Sequence, residues 1–291
     1  MELFSVSTIK DILKIYEARP LKQFGQHFLI NKSVLKKIIE ASNISSQDII
    51  LEIGPGIGVL TQELVKKAGK VIAIEKDSKM VEILKKTLKG SENVKIVQED
   101  ILKYEVGSKG KRREKKLQTP DFGLQTSYKV VANLPYYIVS PVIRRFLEEK
   151  VKPKEMILMV QKEVAQRICA KPPDMNLLAV SVQFYSKAEI VSYVSKNSFW
   201  PKPKVDGAIL KITPQNNLRR NVLRRLFFKV VRAGFSQPRK QLCNNLKNGL
   251  KLNKTEVKDW LLKNGVSPKQ RAESLNLEDW INLTKSFKYE S

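Results

Sequence analysis

One histidine, His27, and two cysteines, Cys169 and Cys243, are all the imidazole and thiol this chain carries. A single imidazole excludes multi-histidine metal centres, and the absence of any CxxC or Cys/His cluster excludes a zinc site or disulfide framework. No metal is expected, and the cysteines read as reduced thiols. No run approaches the ~20 uncharged apolar residues that cross a bilayer. The N-terminus, with Glu2, Lys10 and Asp11 among its apolar residues, lacks the apolar block of a signal peptide. A cytoplasmic protein without membrane attachment is expected. Acidic residues are also scarce, 29 Asp and Glu against 54 Lys and Arg, for a net charge of +25. Such an excess attracts polyanions, and nucleic acid is the leading partner; merely solvated lysines are the plainer reading. Residues 214–291 hold 17 Lys and Arg against 6 Asp and Glu, so the excess is concentrated at the C-terminal end.

From Asp48 to about Ile212, short β-rich apolar runs alternate with helical patterns, which predicts an α/β sheet with helices on both faces. Strands are expected at 49–53, 70–75, 94–97, 129–132, 156–160, 179–185 and 208–212. A helix from Leu60 to Ala68 follows a glycine loop directly, and Ser33 is placed to cap a helix carrying Val34, Leu35, Ile38 and Ile39. Residues 105–127 break the pattern with Lys109, Lys111, Arg112, Arg113, Lys115 and Lys116. They read as a mobile surface loop, touching a phosphate backbone or simply solvated. After Pro214 the pattern turns helical: Val222, Leu223, Leu226, Phe227, Val230 and Val231 make an apolar stripe, and later helices are expected at about 255–264 and 277–287. The division expected is a domain of residues 1–213 and a small basic helical domain of 214–291.

Leu51-Glu52-Ile53-Gly54-Pro55-Gly56-Ile57-Gly58 follows a predicted strand and precedes a helix, where glycines let the backbone approach a ligand. A dinucleotide site expects GxGxxG; here the spacing is GxGxG, and Val59 stands where the last glycine belongs. Glu75 ends the second strand, where a carboxylate can accept from both ribose hydroxyls of an adenosine-containing cofactor. Asp100 closes the third and can accept from an adenine amine, or simply serve a turn.

Asn133-Leu134-Pro135-Tyr136-Tyr137 ends the fourth strand, at the carboxyl edge where open α/β sheets bind ligands. The N6 lone pair of adenine is delocalised, so a catalyst gains by favouring a more tetrahedral nitrogen. The Asn133 side-chain oxygen and the Leu134 carbonyl, fixed by Pro135, can take its two hydrogens, and Tyr136 can stack on the base. By itself this segment supports an amine methyltransferase, with DNA, RNA and protein amines all open. Farther on, Phe199 in Ser198-Phe199-Trp200-Pro201-Lys202-Pro203-Lys204-Val205 can form the second face of a base sandwich, with Lys202 and Lys204 meeting phosphates. A loop pinned by a buried aromatic is the alternative.

These segments resemble the ribosomal RNA adenine N6,N6-dimethyltransferases, the KsgA/Dim1 family, over nearly the whole chain. The likeness rests on Gln23 to Leu29, Glu52 to Thr61, Asn133 to Ile138, Phe199 to Asp206, and Phe235-Ser236-Gln237-Pro238-Arg239-Lys240 in the helical part. It implies a Rossmann-like class I methyltransferase domain, with a mostly parallel seven-stranded sheet, and a C-terminal α-helical domain binding rRNA. It implies S-adenosylmethionine as cofactor, held by His27, Leu29, Gly54, Gly56, Glu75, Asp100 and Asn133, with Asn133, Leu134, Tyr136 and Phe199 at the adenine. The implied substrate is a pair of adjacent adenines in the 3′-terminal hairpin loop of small-subunit (16S) rRNA, within an immature 30S subunit whose maturation the family serves; a monomer is expected. Many relatives carry Asn where His27 stands, and the stretch from Asp100 to Asn133 looks longer than usual. Two other readings compete: an Erm-type enzyme acting on a large-subunit adenine, and a non-catalytic assembly factor. Leu134 and the Pro-Lys-Val-Asp loop weigh against the first, and Glu75, Asp100, Asn133 and Tyr136 against the second.

Overall fold

The computed structural model describes residues 3–21, 25–104, 127–215 and 218–287. Gln23, Phe24, the basic run at 109–116 and the side chains of Arg220, Val222 and Leu223 lie outside the described residues. A two-stranded antiparallel sheet pairs β1 (Phe28–Leu29) with a strand 170 residues later. The main sheet takes β2 (Ile49–Ile53), β3 (Lys70–Glu75), β4 (Val94–Gln98), β5 (Lys129–Asn133), β6 (Met156–Gln161) and β7 (Ser186–Val194). The partner of β1 is β8 (Phe199–Trp200), and β9 (Gly207–Pro214) completes a main sheet ordered β4-β3-β2-β5-β6-β9-β7. Strands β4 through β6 pair in parallel, and β9 runs antiparallel to β6.

Burial explains the apolar runs. Ile50, Leu51, Val71, Val130 and Ile157 are fully buried, because helices cover a parallel sheet on both faces. These include α1 (Val6–Ile15), α2 (Lys32–Ser42), α3 (Val59–Lys67), α4 (Ser78–Thr87) and α5 (Val139–Glu148). Asn31, not Ser33, caps α2: its side chain accepts from the N–H groups of Ser33 and Val34. Ser33 already lies inside the first turn, where its own N–H is one of those needing a cap.

From β2 the chain steps outward to β3 and β4 on one side and then to β5 and β6 on the other, which opens a crevice at the carboxyl ends of β2 and β5. Strand β5 is pinned at its opposite end. Lys129 Nζ lies 3.2 Å from Asp48 and 3.1 Å from Glu155 and donates to the Ser42 carbonyl at 3.0 Å and to that of Asn43. Asn133 lies four residues on, at the other end of the strand.

The chain divides into two compact units, residues 1–165 with 189–214, and 166–188 with 215–291. Residues 166–188 thus group with the C-terminal helices, which the sequence-based division at 213/214 left with the first domain. Within this stretch 179–185 is not the predicted strand but part of α7, which follows α6 (Lys162–Ile168) and spans Leu177–Tyr185. Asn176 caps it by accepting from Ala179 N at 3.0 Å, and Phe184 stacks on Phe227 at 4.1 Å. The seventh strand is β7 instead. Beyond it come α8 (Leu218–Gly234), α9 (Leu242–Leu250), α10 (Lys254–Lys263) and α11 (Leu277–Ser286), the last two each opened by a capping box. Phe227, Val230 and Val231 are buried as the apolar stripe requires, beside a fully buried Trp280. No described helix is long and apolar enough to cross a membrane.

Candidate active site

Two adjoining clefts open at the carboxyl edge of β2 and β5, sharing Gln26, Gly54 and Pro135. The first is lined by His27, Leu29, Gly54, Gly56, Asn133, Leu134, Tyr136 and Phe199. Glu75 and Asp100 line the second. The residues singled out in the sequence therefore converge from six separate segments on one edge.

The glycine loop leaves β2 in the left-handed region, with φ of +65° at Gly54 and +58° at Gly56. A Cβ at Gly56 would stand 3.3 Å from the Phe28 ring, so both the turn and the wall of the cleft need its bare backbone. Glu75 holds this loop from the next strand. One oxygen accepts from Gly56 N at 3.1 Å, the other from Lys76 N at 2.8 Å and Asp77 N at 2.9 Å. Burial pushes the Glu75 carboxyl above its ordinary range, against the pull of those three donors. A carboxylate has about four lone-pair sites, so one remains for a ribose hydroxyl. Asp100 is likewise engaged, accepting from Leu102 N and from Lys76 Nζ, both at 3.0 Å. Burial opposes its charge, but these donors outweigh it and hold the carboxyl below the usual range.

In the first cleft, Asn133 Nδ2 donates to the His27 carbonyl at 3.0 Å, which leaves Oδ1 as the acceptor of that side chain. Leu134 is held by its own N–H on the Met159 carbonyl at 3.1 Å, and Pro135 keeps it extended. Tyr136 opens a short 3₁₀ turn; burial, with Glu163 and Asp206 nearby, pushes its hydroxyl up and keeps it neutral. Phe199 is buried, pairing through β8 with Leu29, and it lines the first cleft. Lys202 and Lys204 are exposed.

The segment from Gly25 to Asn31 ties these parts together. The Nδ1–H of His27 donates to the Pro201 carbonyl at 2.6 Å, Ile30 N donates to the Ser198 carbonyl at 2.9 Å, and Gln26 Nε2 donates to Asp77 at 2.9 Å. Because a carbonyl only accepts, the proton of this imidazole sits on Nδ1. Two residues here escaped the sequence reading. Gln26 gave no signal beyond its neighbours. Glu52 did: it is a carboxylate inside an otherwise apolar strand. It is 1% exposed, lines the first cleft, and its Oε2 has no hydrogen-bond partner among the described residues. Burial raises its pKa to about 8, with Glu75 adding to the shift and Thr61 opposing it.

The sequence profile described as ribosomal RNA adenine dimethylase matches residues 19–289. Ribosomal RNA small subunit methyltransferase A of Dehalococcoides mccartyi is 44% identical over 277 residues, covering 94% of this chain and 90% of the relative. The protein of that name from Geobacillus thermodenitrificans is 38% identical over 283 residues, covering 95% and 94%. A dimethyladenosine transferase from Plasmodium falciparum superposes with a TM-score of 0.69 at 30% identity, over 88% of this chain and 96% of that one. The 23S rRNA methyltransferase ErmE superposes at 0.71 but at 24% identity, over 89% and 98%, and shares the fold. Profile, relatives and sheet order agree, and the chain belongs to the ribosomal RNA adenine dimethylase family.

Proposed function

We propose that this chain uses S-adenosylmethionine to dimethylate the N6 amines of two adjacent adenines in the 3′-terminal hairpin loop of small-subunit rRNA, acting as a monomer on an immature 30S subunit in the cytoplasm. The observation that carries the reading is the Asn133 amide, locked through its NH₂ onto the His27 carbonyl so that its oxygen accepts. When bound, the cofactor supplies a methyl group made electrophilic by its sulfonium. The residues of the chain do the rest. Gly54, Gly56 and Glu75 form a cradle that suits an adenosine-containing cofactor, and the unpartnered Glu52 oxygen suits a cationic one. Asn133 Oδ1 and the Leu134 carbonyl take the amine hydrogens, which favours the tetrahedral nitrogen of the transition state over the planar ground state. Tyr136 and Phe199 hold the base flat between them. No strong base is needed, because the methylated cationic nitrogen sheds its proton readily to water. The basic helical unit, with Arg225, Lys229, Arg232, Arg239 and Lys240 exposed, meets rRNA phosphates.

Primer extension on rRNA from a deletion strain tests this directly. Loss of the stop at the 3′-end hairpin of small-subunit rRNA supports the reading; a change in large-subunit rRNA alone overturns it. Transfer of label from the methyl donor to small subunits of that strain separates an enzyme from a non-catalytic assembly factor, and light scattering reports the oligomeric state.

A further inference from the structure

Strand β7 is the outer strand of the main sheet beyond β9. Along it Val191 and Tyr193 point the same way and are 44% and 53% exposed, while Ser192 between them and Ile190 before them are half-buried. Its last residues reach the catalytic edge. A Cβ at Gly207, which lines the first cleft, would stand 3.8 Å from Val194 Cβ. Asp206 fastens the corner: its side chain accepts from Lys196 N at 2.9 Å and its carbonyl from Lys162 N at 3.0 Å. From there the ammonium of Lys162 lies over the Tyr193 ring, 5.3 Å from its centroid.

An exposed tyrosine with a cation on one face is well suited to a nucleotide: a base stacks on the open face of the ring while the ammonium meets a phosphate. The reaction creates the need. An adenine whose amine enters a buried cleft must leave its stack, and the nucleotide left behind loses a stacking face. Tyr193 lies one residue before Val194, which faces Gly207 of that cleft, and the exposed cations Lys202 and Lys204 are on the loop that follows. We infer that Tyr193 and Lys162 form a stacking platform for a nucleotide flanking the target adenine, separate from the cleft that takes the target base. The inference rests on the function proposed above.

Steady-state methylation of small subunits from a deletion strain, with labelled S-adenosylmethionine, tests it. Tyr193→Ala is expected to raise KM for the particles about fivefold or more, the effect of losing one base stack, while the dissociation constant for S-adenosylmethionine stays at the wild-type value. Tyr193→Trp is expected to retain or lower that KM. A photoreactive phenylalanine analogue at position 193 is expected to crosslink to an rRNA nucleotide next to the target adenines. An unchanged KM in Tyr193→Ala, or a crosslink to a ribosomal protein, overturns the platform while wild-type methylation leaves the family reaction standing. Absence of methylation by the wild-type chain sinks the underlying reading instead.

Discussion

The side-chain amide of Asn133 and the main-chain carbonyl of His27 are joined at 3.0 Å across 106 residues of sequence. This bond orients the oxygen that the proposed function assigns to the target amine, and it makes Asn133→Ala informative. Losing one preorganised transition-state contact costs on the order of 10²–10³ in rate. Single-turnover methyl transfer should fall by that factor, while binding of small subunits, measured by filter retention, should change less than about threefold. Equal losses in both would remove Asn133 from the role given to it.

His27 acts through two different groups, and substitution separates them. His27→Ala keeps the carbonyl that holds Asn133 and deletes the Nδ1–H bond to Pro201 together with the ring's contact with Tyr136, 5.9 Å between centroids. A part-buried hydrogen bond contributes about 0.5–1.5 kcal/mol net, and here it positions the loop bearing Phe199. The expected outcome is a KM for small subunits raised a few-fold, with kcat reduced far less than in Asn133→Ala. A collapse of kcat to the Asn133→Ala level would show that the side chain itself is required at the reacting amine.

Glu52 couples the site to pH. Its folded pKa of about 8 lies above its ordinary value because burial disfavours the charge. The folded state therefore holds a proton that the unfolded state releases, and stability from this group is full below about pH 4.5 and lost as pH rises through about 8. Glu52→Gln should flatten the melting-temperature profile across that window and melt higher than the parent at its alkaline end. S-adenosylmethionine, being cationic, favours the carboxylate, so its binding near neutral pH should release protons from the parent and fewer from Glu52→Gln. Calorimetry in buffers of different ionisation enthalpy measures this, and identical proton release from both proteins would disprove the link.

Lys129 sits between Asp48 and Glu155, and two carbonyls share its three N–H donors with them. Lys129→Met takes the shared cation from two facing carboxylates, of which Glu155 keeps Lys211 at 3.0 Å. Breaking such a buried pair costs about 3–5 kcal/mol, which denaturant unfolding should report at neutral pH. Protonating the carboxylates relieves the repulsion, so the deficit should shrink toward pH 4; a deficit constant with pH would point to packing alone.

Much of this was legible beforehand because the parallel strands are buried on both faces and read as short apolar runs between glycines, and because Gly54, Glu75, Asp100 and Asn133 each follow such a run. The run from Leu177 to Tyr185 misled for the same reason: it is apolar on nearly every side, and periodicity cannot separate a short buried helix from a buried strand. Asn176, whose side chain reaches Ala179 N, is the local mark of a helix start. Ser186 to Val194 was missed because its alternation mixes Lys187, Glu189 and Ser192 with Ile190 and Val191, the pattern of an edge strand half open to solvent. That Gln26 and His27 each reach across the site could not be read from sequence, because their partners Asp77 and Pro201 are 51 and 174 residues away.

Those two residues are consecutive, one bonded toward the cofactor side at Asp77 and the other toward the base side at Pro201. A single peptide step, about 3.8 Å from Cα to Cα, separates the anchors of the two sides of the proposed reaction. Whatever factor bound cofactor contributes to the affinity for rRNA, bound rRNA must return to the cofactor in equal measure.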